Sequence, residues 1–250
     1  MSGHSKWATI KRKKAGADAQ RGKIFTRLAR DIMVAAREGG GDPAGNAKLK
    51  IAIDKAKAGN MPKENIERAI QRGSGGGDGV DMEEITYEGY GLEGIAFMVD
   101  VLTDNKNRAL AEVKRVFNKA GGSLASAGSV GWQFEKKGYI TVEGATVDFD
   151  TLFMTAAEAG ADDIVDEDGT FVVYTPREMF SAVEQALIAA GYQVGDAELR
   201  WIPKNESEVS TERAVQNLKL QENLEELDDV QGVAHNLLIN DAAIAALETA

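Results

Sequence analysis

Apolar residues recur at three- and four-residue intervals through most of residues 18–73. This spacing places them on one face of an α-helix and leaves the charged residues between them on the other face. Glycine, proline and asparagine interrupt the pattern and limit three helices: Ala17 to Gly39, Asp42–Pro43 to Gly59–Asn60, and Pro62 to Gly73. The segment is therefore predicted to form a small three-helix bundle whose basic side chains, including Arg27 and Lys55, are solvated.

After the glycine-rich segment 73–79 the pattern changes to short apolar runs separated by turns, which is typical of β-strands. The elements predicted here are strands 84–87 and 95–102, a helix from Asp104–Asn105 to Gly121–Gly122, an acidic helix at 210–227, and a strand within 229–239. The Ala-rich tail from Asn240 is predicted to fray, as chain ends commonly do.

Residues 130–203 alternate between strand and helix patterns in a different rhythm. The predicted elements are strand 139–142 after a Lys136-Lys137-Gly138 turn, helix 149–159, a strand near 162–166, strand 170–174, helix 177–190, and strand 197–202. This β-α-β-β-α-β order is that of the ferredoxin-like fold.

These patterns together predict an α+β protein of three domains. Residues 1–77 form a basic arm and a helical bundle. The second domain is discontinuous, because the helix and strand after residue 203 complete the set that begins at residue 80. It comprises residues 80–129 plus 204–240, and the ferredoxin-like domain, residues 130–203, is inserted into it.

Charge divides the chain into two very different parts. Residues 1–77 contain 17 Lys and Arg against 7 Asp and Glu, a net charge of +10, whereas the remaining residues contain 12 against 33, a net charge of −21. Phosphate backbones bind proteins largely through Lys and Arg, with release of counterions. The amino-terminal end would therefore attract a polyanion such as DNA or RNA, and the rest of the chain would repel it.

Composition excludes several classes of site. The chain contains no cysteine and two histidines, His4 and His235, which are far apart in sequence and lack metal-ligand spacing. Neither a metal site nor a cofactor is predicted. Each apolar run, such as Ile95 to Val99, is far shorter than the roughly 20 residues that span a bilayer. No apolar segment of the secretory type follows the basic start, so the predicted location is the cytoplasm.

Two glycine-rich segments allow a nucleotide-binding alternative. Residues 73–79 lack the Gly-Lys-Ser/Thr of a phosphate-binding loop, and their composition is that of a linker. Residues 89–94 fit G-x-G-x-x-G, but a strand pattern follows where a dinucleotide site requires a helix. This second segment is predicted to be a hairpin loop.

The candidate nucleic-acid contacts lie in the first thirty residues. The predicted set is His4, Lys6, Trp7, Lys11, Arg12, Lys13, Lys14, Arg21, Lys23 and Arg27. The cations would neutralise phosphates, His4 would donate to a phosphate or a base edge, and Trp7 would stack on an exposed base. The structural alternative is that the cations are simply solvated and that Trp7 pins the arm to its own bundle.

Two other functional classes are compatible with parts of the sequence. The acidic clusters Glu83–Glu84, Asp162–Asp163 and Asp166–Asp168 could serve acid–base or Mg²⁺ chemistry, but no nucleophile accompanies them. They are predicted to be solvated turns, and the protein is predicted not to be an enzyme. Alternatively, the acidic part of the chain would recruit a basic protein partner.

Several segments resemble the YebC/PmpR family, which includes the mitochondrial translational activator of cytochrome oxidase subunit one. They are Gly3-His4-Ser5-Lys6-Trp7 with Ile10-Lys11, Arg21-Gly22-Lys23-Ile24-Phe25, Asn60-Met61-Pro62-Lys63-Glu64-Asn65-Ile66, Tyr87-Glu88-Gly89-Tyr90-Gly91, and Leu102-Thr103-Asp104-Asn105-Lys106-Asn107-Arg108. The resemblance extends over nearly the whole chain.

The resemblance implies a helical amino-terminal domain and two α/β domains, one inserted in the other. It also implies a regulator of gene expression, since similar proteins are described as probable transcriptional regulators that bind DNA. Others are described as translation factors that act on the ribosome and relieve stalls at proline-rich stretches. The expected partners are therefore duplex DNA or, alternatively, ribosomal RNA.

Overall fold

The structure, a computed structural model, describes residues 17–75, 82–144, 147–167 and 169–248. Its helices are α1 (Ala17–Gly39), α2 (Ala47–Ala58), α3 (Lys63–Gly73), α4 (Lys106–Lys119), α5 (Phe149–Glu158), α6 (Phe180–Ala189), α7 (Thr211–Glu225) and α8 (Asp241–Glu248). Its strands are β1 (Glu83–Tyr90), β2 (Ala96–Thr103), β3 (Ser123–Ala125), β4 (Phe134–Glu143), β5 (Asp163–Glu167), β6 (Thr170–Thr175), β7 (Gln193–Pro203) and β8 (Val230–His235). The α+β class predicted from the sequence is confirmed, with amino-terminal helices followed by two antiparallel sheets.

The apolar faces of α1, α2 and α3 meet in one core that includes Leu28, Ile32, Leu49 and Ile66. The predicted start of the second helix at Asp42–Pro43 is wrong, because α2 begins at Ala47. Buried Asn46 decides this boundary: its side-chain oxygen accepts from the Leu49 amide at 3.0 Å, and its amide group donates to the Ala35 and Gly40 carbonyls at 2.7 and 2.9 Å. One side chain therefore caps α2 and ties it to the end of α1.

The first sheet has four strands in the order β3-β1-β2-β8, and all of its pairs are antiparallel. Helices α4 and α7 cover it around a core that contains Phe97, Phe117 and Leu218. Helix α8 belongs to the same core, since Ala243 and Ile244 are buried in it. The prediction of a fraying tail is therefore wrong: alanines at helical spacing around Ile244 give this segment an apolar face that packs.

The second sheet has four strands in the order β5-β6-β4-β7, and α5 and α6 pack on it around Leu152, Val183 and Leu187. This arrangement confirms the ferredoxin-like prediction. The predicted turn at 136–138 is wrong, because β4 runs through it and Gly138 pairs with both Thr175 and Leu199. A Cβ on Gly138 would lie 2.7 Å from the Phe180 ring, so this glycine provides room and does not mark a turn.

The strands are divided between the two sheets as the predicted order of elements implies. Strands from 83–125 and 230–235 share the first sheet, and every strand between 134 and 203 belongs to the second. The division into three domains at the stated boundaries stays a prediction.

Candidate nucleic-acid interface

Most of the predicted contacts precede the part of the chain that the structure describes. Those outside the described residues are His4, Lys6, Trp7, Lys11, Arg12, Lys13 and Lys14. Arg21 and Lys23 lie on α1, but their side chains also fall outside the description. Arg27 is thus the one predicted contact whose side chain is described, and the roles of the others stay predictions.

The described part of the helical bundle carries further exposed cations. Lys50 on α2 and Arg68 and Arg72 on α3 are exposed, and the described residues offer them no ion pair. Exposed pairs hold other lysines, as between Lys48 and Glu38 at 2.7 Å. Such surface pairs contribute little and exchange readily. The bundle therefore presents cations that are available to phosphate.

Arg27 and Arg30 are committed to a contact between α1 and α7. The guanidinium of Arg27 donates to the carbonyl oxygen of Glu225, and that of Arg30 donates to the carbonyl oxygen of Asp228. These carbonyls lie at the carboxyl end of α7, where unpaired C=O groups attract cations. Burial at this contact lowers the pKa of Arg27.

The prediction that Arg27 is solvated is wrong. Arg27 lies off the apolar stripe of α1 and therefore outside the bundle core, but the carboxyl end of α7 covers this polar face of α1. The contact of Arg27 with nucleic acid stays a prediction.

Asp229 is the anion at the centre of this contact. Its carboxylate is 2.8 Å from Arg30 and 2.7 Å from Arg108, and it accepts from the Thr103 hydroxyl at 2.8 Å. Burial acts to raise the pKa of Asp229. The hydrogen bonds from Arg108 and Thr103 and the charge of Arg30 lower this pKa by more than burial raises it, so the net pKa is below its usual value. One buried carboxylate thus joins α1 to β2 and α4.

A second polar contact joins the bundle to the ferredoxin-like sheet. Glu198 on β7 lies 2.8 Å from Lys55 of α2 and 2.5 Å from Arg200. Burial acts to raise the pKa of Glu198, yet the charges of Arg200 and Lys55 bring it to about 2. The guanidinium of Arg200 also stacks over the Tyr139 ring at 3.8 Å. The prediction that Lys55 is solvated is confirmed, since its side chain is 43% exposed, but the ammonium group is also paired with the half-buried Glu198.

Asp31 on α1 lies in the same charged region and titrates differently. Burial raises the pKa of Asp31 to about 6. The positive charges of Lys55 and Arg27 act to lower this pKa, and the negative charges of Glu198 and Glu84 act with burial to raise it. Together these groups fix how the basic bundle sits on the acidic body, and they take Arg27 and Arg30 out of the freely accessible charge.

Glu88 holds the loop that follows β3. Its carboxylate accepts hydrogen bonds from the backbone amides of Gly128, Val130 and Gly131 at 2.7, 2.6 and 2.8 Å. Burial acts to raise the pKa of Glu88, but these amide donors lower it more, and the net pKa is below its usual value. The loop presents Trp132, whose side chain is 70% exposed.

Changing Glu88→Gln is expected to loosen this loop and to lower the free energy of unfolding by about 1–2 kcal/mol, because a neutral amide replaces a charge-assisted acceptor of three hydrogen bonds. Native-state hydrogen exchange should show the Gly128, Val130 and Gly131 amides exchanging about tenfold faster. The exposed Glu158→Gln variant is the control, expected within about 0.5 kcal/mol of wild type. Unchanged protection at the three amides would contradict the role of Glu88.

The glycine and acidic motifs have structural explanations. Residues 89–94 join β1 to β2 as an antiparallel hairpin with a short 3₁₀ turn at Leu92–Gly94, which confirms the hairpin prediction. Glu83 pairs with Lys106 at 2.7 Å, and Asp162 pairs with Lys137 at 2.9 Å. Within the described ranges, no three acidic or histidine side chains cluster as metal ligands do, and no helix is long and apolar enough to cross a membrane. Asp168 lies outside the described residues.

Two family profiles match the chain almost end to end. The profile described as the TACO1/YebC protein N-terminal domain matches residues 5–76, and the one described as the TACO1/YebC second and third domain matches residues 82–237. The chain belongs to the TACO1/YebC family. The resemblance seen in the sequence segments is thus confirmed.

Relatives in this family are about 50% identical in sequence to this chain. A protein from Acidithiobacillus ferrooxidans is 53% identical over 99% of both chains, and one from Trichlorobacter lovleyi is 51% identical over 96% of this chain and 97% of its own. Both bear the name probable transcriptional regulatory protein. The crystal structure of a conserved hypothetical protein from Aquifex aeolicus, 44% identical, superposes with a TM-score of 0.83 and covers 90% of this chain and 93% of its own.

Sequence reasoning missed Asp229 as an organising residue of this TACO1/YebC protein. Its hydrogen-bond partners Thr103 and Arg108 lie 126 and 121 positions away, and the acidic stretch around it is typical of a solvated turn.

Proposed function

We propose that this TACO1/YebC protein is a non-enzymatic regulator of gene expression that binds nucleic acid through residues 2–73, with duplex DNA as the first candidate partner. The observation that carries the proposal is the division of charge, +10 in residues 1–77 and −21 in the rest. Relatives named probable transcriptional regulatory protein support regulation in general.

The proposed contacts divide by chemistry. Phosphate neutralisation falls to Lys6, Lys11, Arg12, Lys13, Lys14, Arg21 and Lys23, with Arg27 as a further cation where α1 meets α7. His4 and Trp7 would contact bases or sugars. The exposed Lys50, Arg68 and Arg72 extend the cationic surface into the described bundle.

Structured RNA of the ribosome is the second candidate partner, and the acidic body favours it. A duplex that wrapped around the protein would meet a net charge of −21, whereas a basic end inserted into an RNA-lined cavity would leave that charge outside. Contacts to phosphate alone do not discriminate between the two partners.

The test is a competition at fixed salt in which the labelled full-length protein is offered purified ribosomes and random duplex DNA together. A variant lacking residues 2–16 is measured alongside, and Asp162→Ala/Asp163→Ala serves as the control that leaves the basic region intact. Retention on DNA that the deletion abolishes, with preference for one promoter over random sequence, is the expected result.

Partition to ribosomes, again lost in the deletion, would favour the second candidate. Equal binding by the deletion variant would overturn the role of the arm. A loss of regulatory activity in the Asp162/Asp163 variant, with charge reversal of Lys11 to Lys14 harmless, would instead point to catalysis.

A further inference from the structure

A basic cleft lies in the acidic body, between α4 and α7, and the 3₁₀ turn at Leu92–Gly94 borders it. Its volume is about 810 Å³. Four of the twelve Lys and Arg residues that follow residue 77 line this cleft: Arg115, Lys119, Arg213 and Lys219. Of the described lining residues, only Glu226 is anionic. A segment of strongly negative net charge thus gathers a third of its cations at one place.

Three of these cations are available to a ligand. Arg115 and Lys119 are one turn apart on α4, and Lys219 lies across the cleft on α7. All three are exposed, and the described residues supply none of them with an ion pair. Arg213 differs, since it is 3.5 Å from Glu93 and donates to Gln216 at 2.9 Å.

The helix dipole accounts for only part of this arrangement. Lys119 in the last turn of α4 complements the partial negative charge of the helix end. Arg115 lies a full turn earlier, and Lys219 is in the middle of α7, so neither is explained in this way. Cations that converge without carboxylate partners are suited to an anion such as phosphate.

The cleft also offers an apolar surface and two amides. Leu92, Ala120 and Leu227 line it as half-buried side chains. The amide group of Asn223 donates to the Lys219 carbonyl at 2.6 Å, and the side-chain oxygen of Gln216 accepts from Arg213. The oxygen of Asn223 and the NH₂ of Gln216 have no other partner among the described residues, so one acceptor and one donor remain for the edge of a base.

We propose that this cleft binds a single nucleotide, either free or as one unit of a single strand. Its phosphate would contact Arg115, Lys119 and Lys219. Its base would lie over Leu92, Ala120 and Leu227 with its edge towards Gln216 and Asn223. A cleft of about 810 Å³ falls within the size range of small-ligand sites and is too small for a duplex. The described residues that line the site all follow residue 91, so its binding can be tested independently of residues 2–16.

The test is an NMR titration of the ¹⁵N-labelled full-length protein with adenosine 5′-monophosphate at fixed salt. Shifts are expected at the amides of 115–121 and 216–227. The double variant Arg115→Glu/Lys119→Glu should bind at least about tenfold more weakly, as expected when two charge-assisted contacts are reversed. Lys114→Glu, which changes an exposed cation on the same helix outside the cleft, should bind within about twofold of wild type.

Circular dichroism of each variant establishes that it is folded before binding is compared. Equal affinity in the wild type and the Arg115/Lys119 variant, or shifts confined to other residues, would overturn the site. Inorganic phosphate run alongside separates the two parts of the ligand. Shifts of the Gln216 and Asn223 side-chain amides as large as those with the nucleotide would overturn base contact.

A labelled oligoadenylate of twelve nucleotides distinguishes the source of the nucleotide. It is offered to the Lys11→Glu/Arg12→Glu/Lys13→Glu/Lys14→Glu variant, in which binding by the arm is suppressed. Competition between the oligomer and the mononucleotide supports a strand, and absence of competition supports a free nucleotide. Failure of the arm to bind nucleic acid would leave the mononucleotide result unchanged, so the two proposals fail separately.

Discussion

Full-length protein in which Lys11, Arg12, Lys13 and Lys14 are all changed to glutamate is expected to lose about two to three orders of magnitude in affinity for a short DNA duplex near physiological salt. Each phosphate neutralised contributes about −0.9 to the slope of log K against log[salt], so the loss of four such contacts should flatten that slope by about 3–4. Fluorescence anisotropy over a range of salt concentrations measures both quantities.

The matched control reverses two exposed cations on the acidic body, Lys114→Glu and Arg177→Glu. It makes the protein more acidic without altering the arm, and its salt slope should stay within about one unit of wild type. A comparable loss of affinity per charge in both variants would mean that net charge governs binding, and the proposed interface would then be wrong.

Asp229→Ala is expected to lower the free energy of unfolding by about 3 kcal/mol, because removing one partner of a buried ion pair leaves the other without compensation. The side chains of Asp229 and Arg30 are only 5% and 15% exposed. Arg108 is 43% exposed and can turn to water, which places the expected loss at the lower end of the range for such changes. Urea denaturation followed by circular dichroism measures it.

The neighbouring Asp228→Ala variant is the control, since Asp228 is exposed and contributes its backbone carbonyl, which alanine retains. Its stability should lie within about 0.5 kcal/mol of wild type. Comparable losses in both variants would contradict the assignment to Asp229.

Acid should reduce the effect of Asp229→Ala. The pKa of Asp229 is lower in the folded protein than its usual value, so its contribution is fully present above the unfolded-state pKa of about 3.9 and is lost as pH falls through the folded value. The difference in unfolding free energy between wild type and variant should therefore be constant near neutral pH and shrink below about pH 4. A difference that does not change down to about pH 2 would contradict this ionisation.

The spacing of apolar residues along the sequence was sufficient to predict the order of helices and strands. Apolar spacing identified α1 to α3 and the β-α-β-β-α-β order of 130–203, because a helix or strand that packs on a core must repeat its apolar side chains at its own period. The segments that resemble the YebC family were equally visible in the sequence, and they too are local. The uneven distribution of charge required only counting.

The predicted element boundaries were wrong where a contact with a residue distant in sequence determines the local structure. Asp42–Pro43 has the composition of a helix start, but the carbonyls at the end of α1 position Asn46 as the cap. Gly138 has the composition of a turn, but the Phe180 ring requires a residue without a side chain inside a strand. Neither Phe180 nor the end of α1 can be placed beside these residues from local pattern.

The sequence alone therefore determined the α+β class, the succession of elements, the family and the concentration of positive charge at the amino-terminal end. Only the tertiary structure decided how that charge is used in the described residues. It pairs Arg30 with Asp229 and Lys55 with Glu198, and it brings Lys219 opposite Arg115 to form the cleft. The physical reason is that apolar periodicity is a property of consecutive residues, whereas the partner of a charge depends on which surfaces meet when distant elements pack.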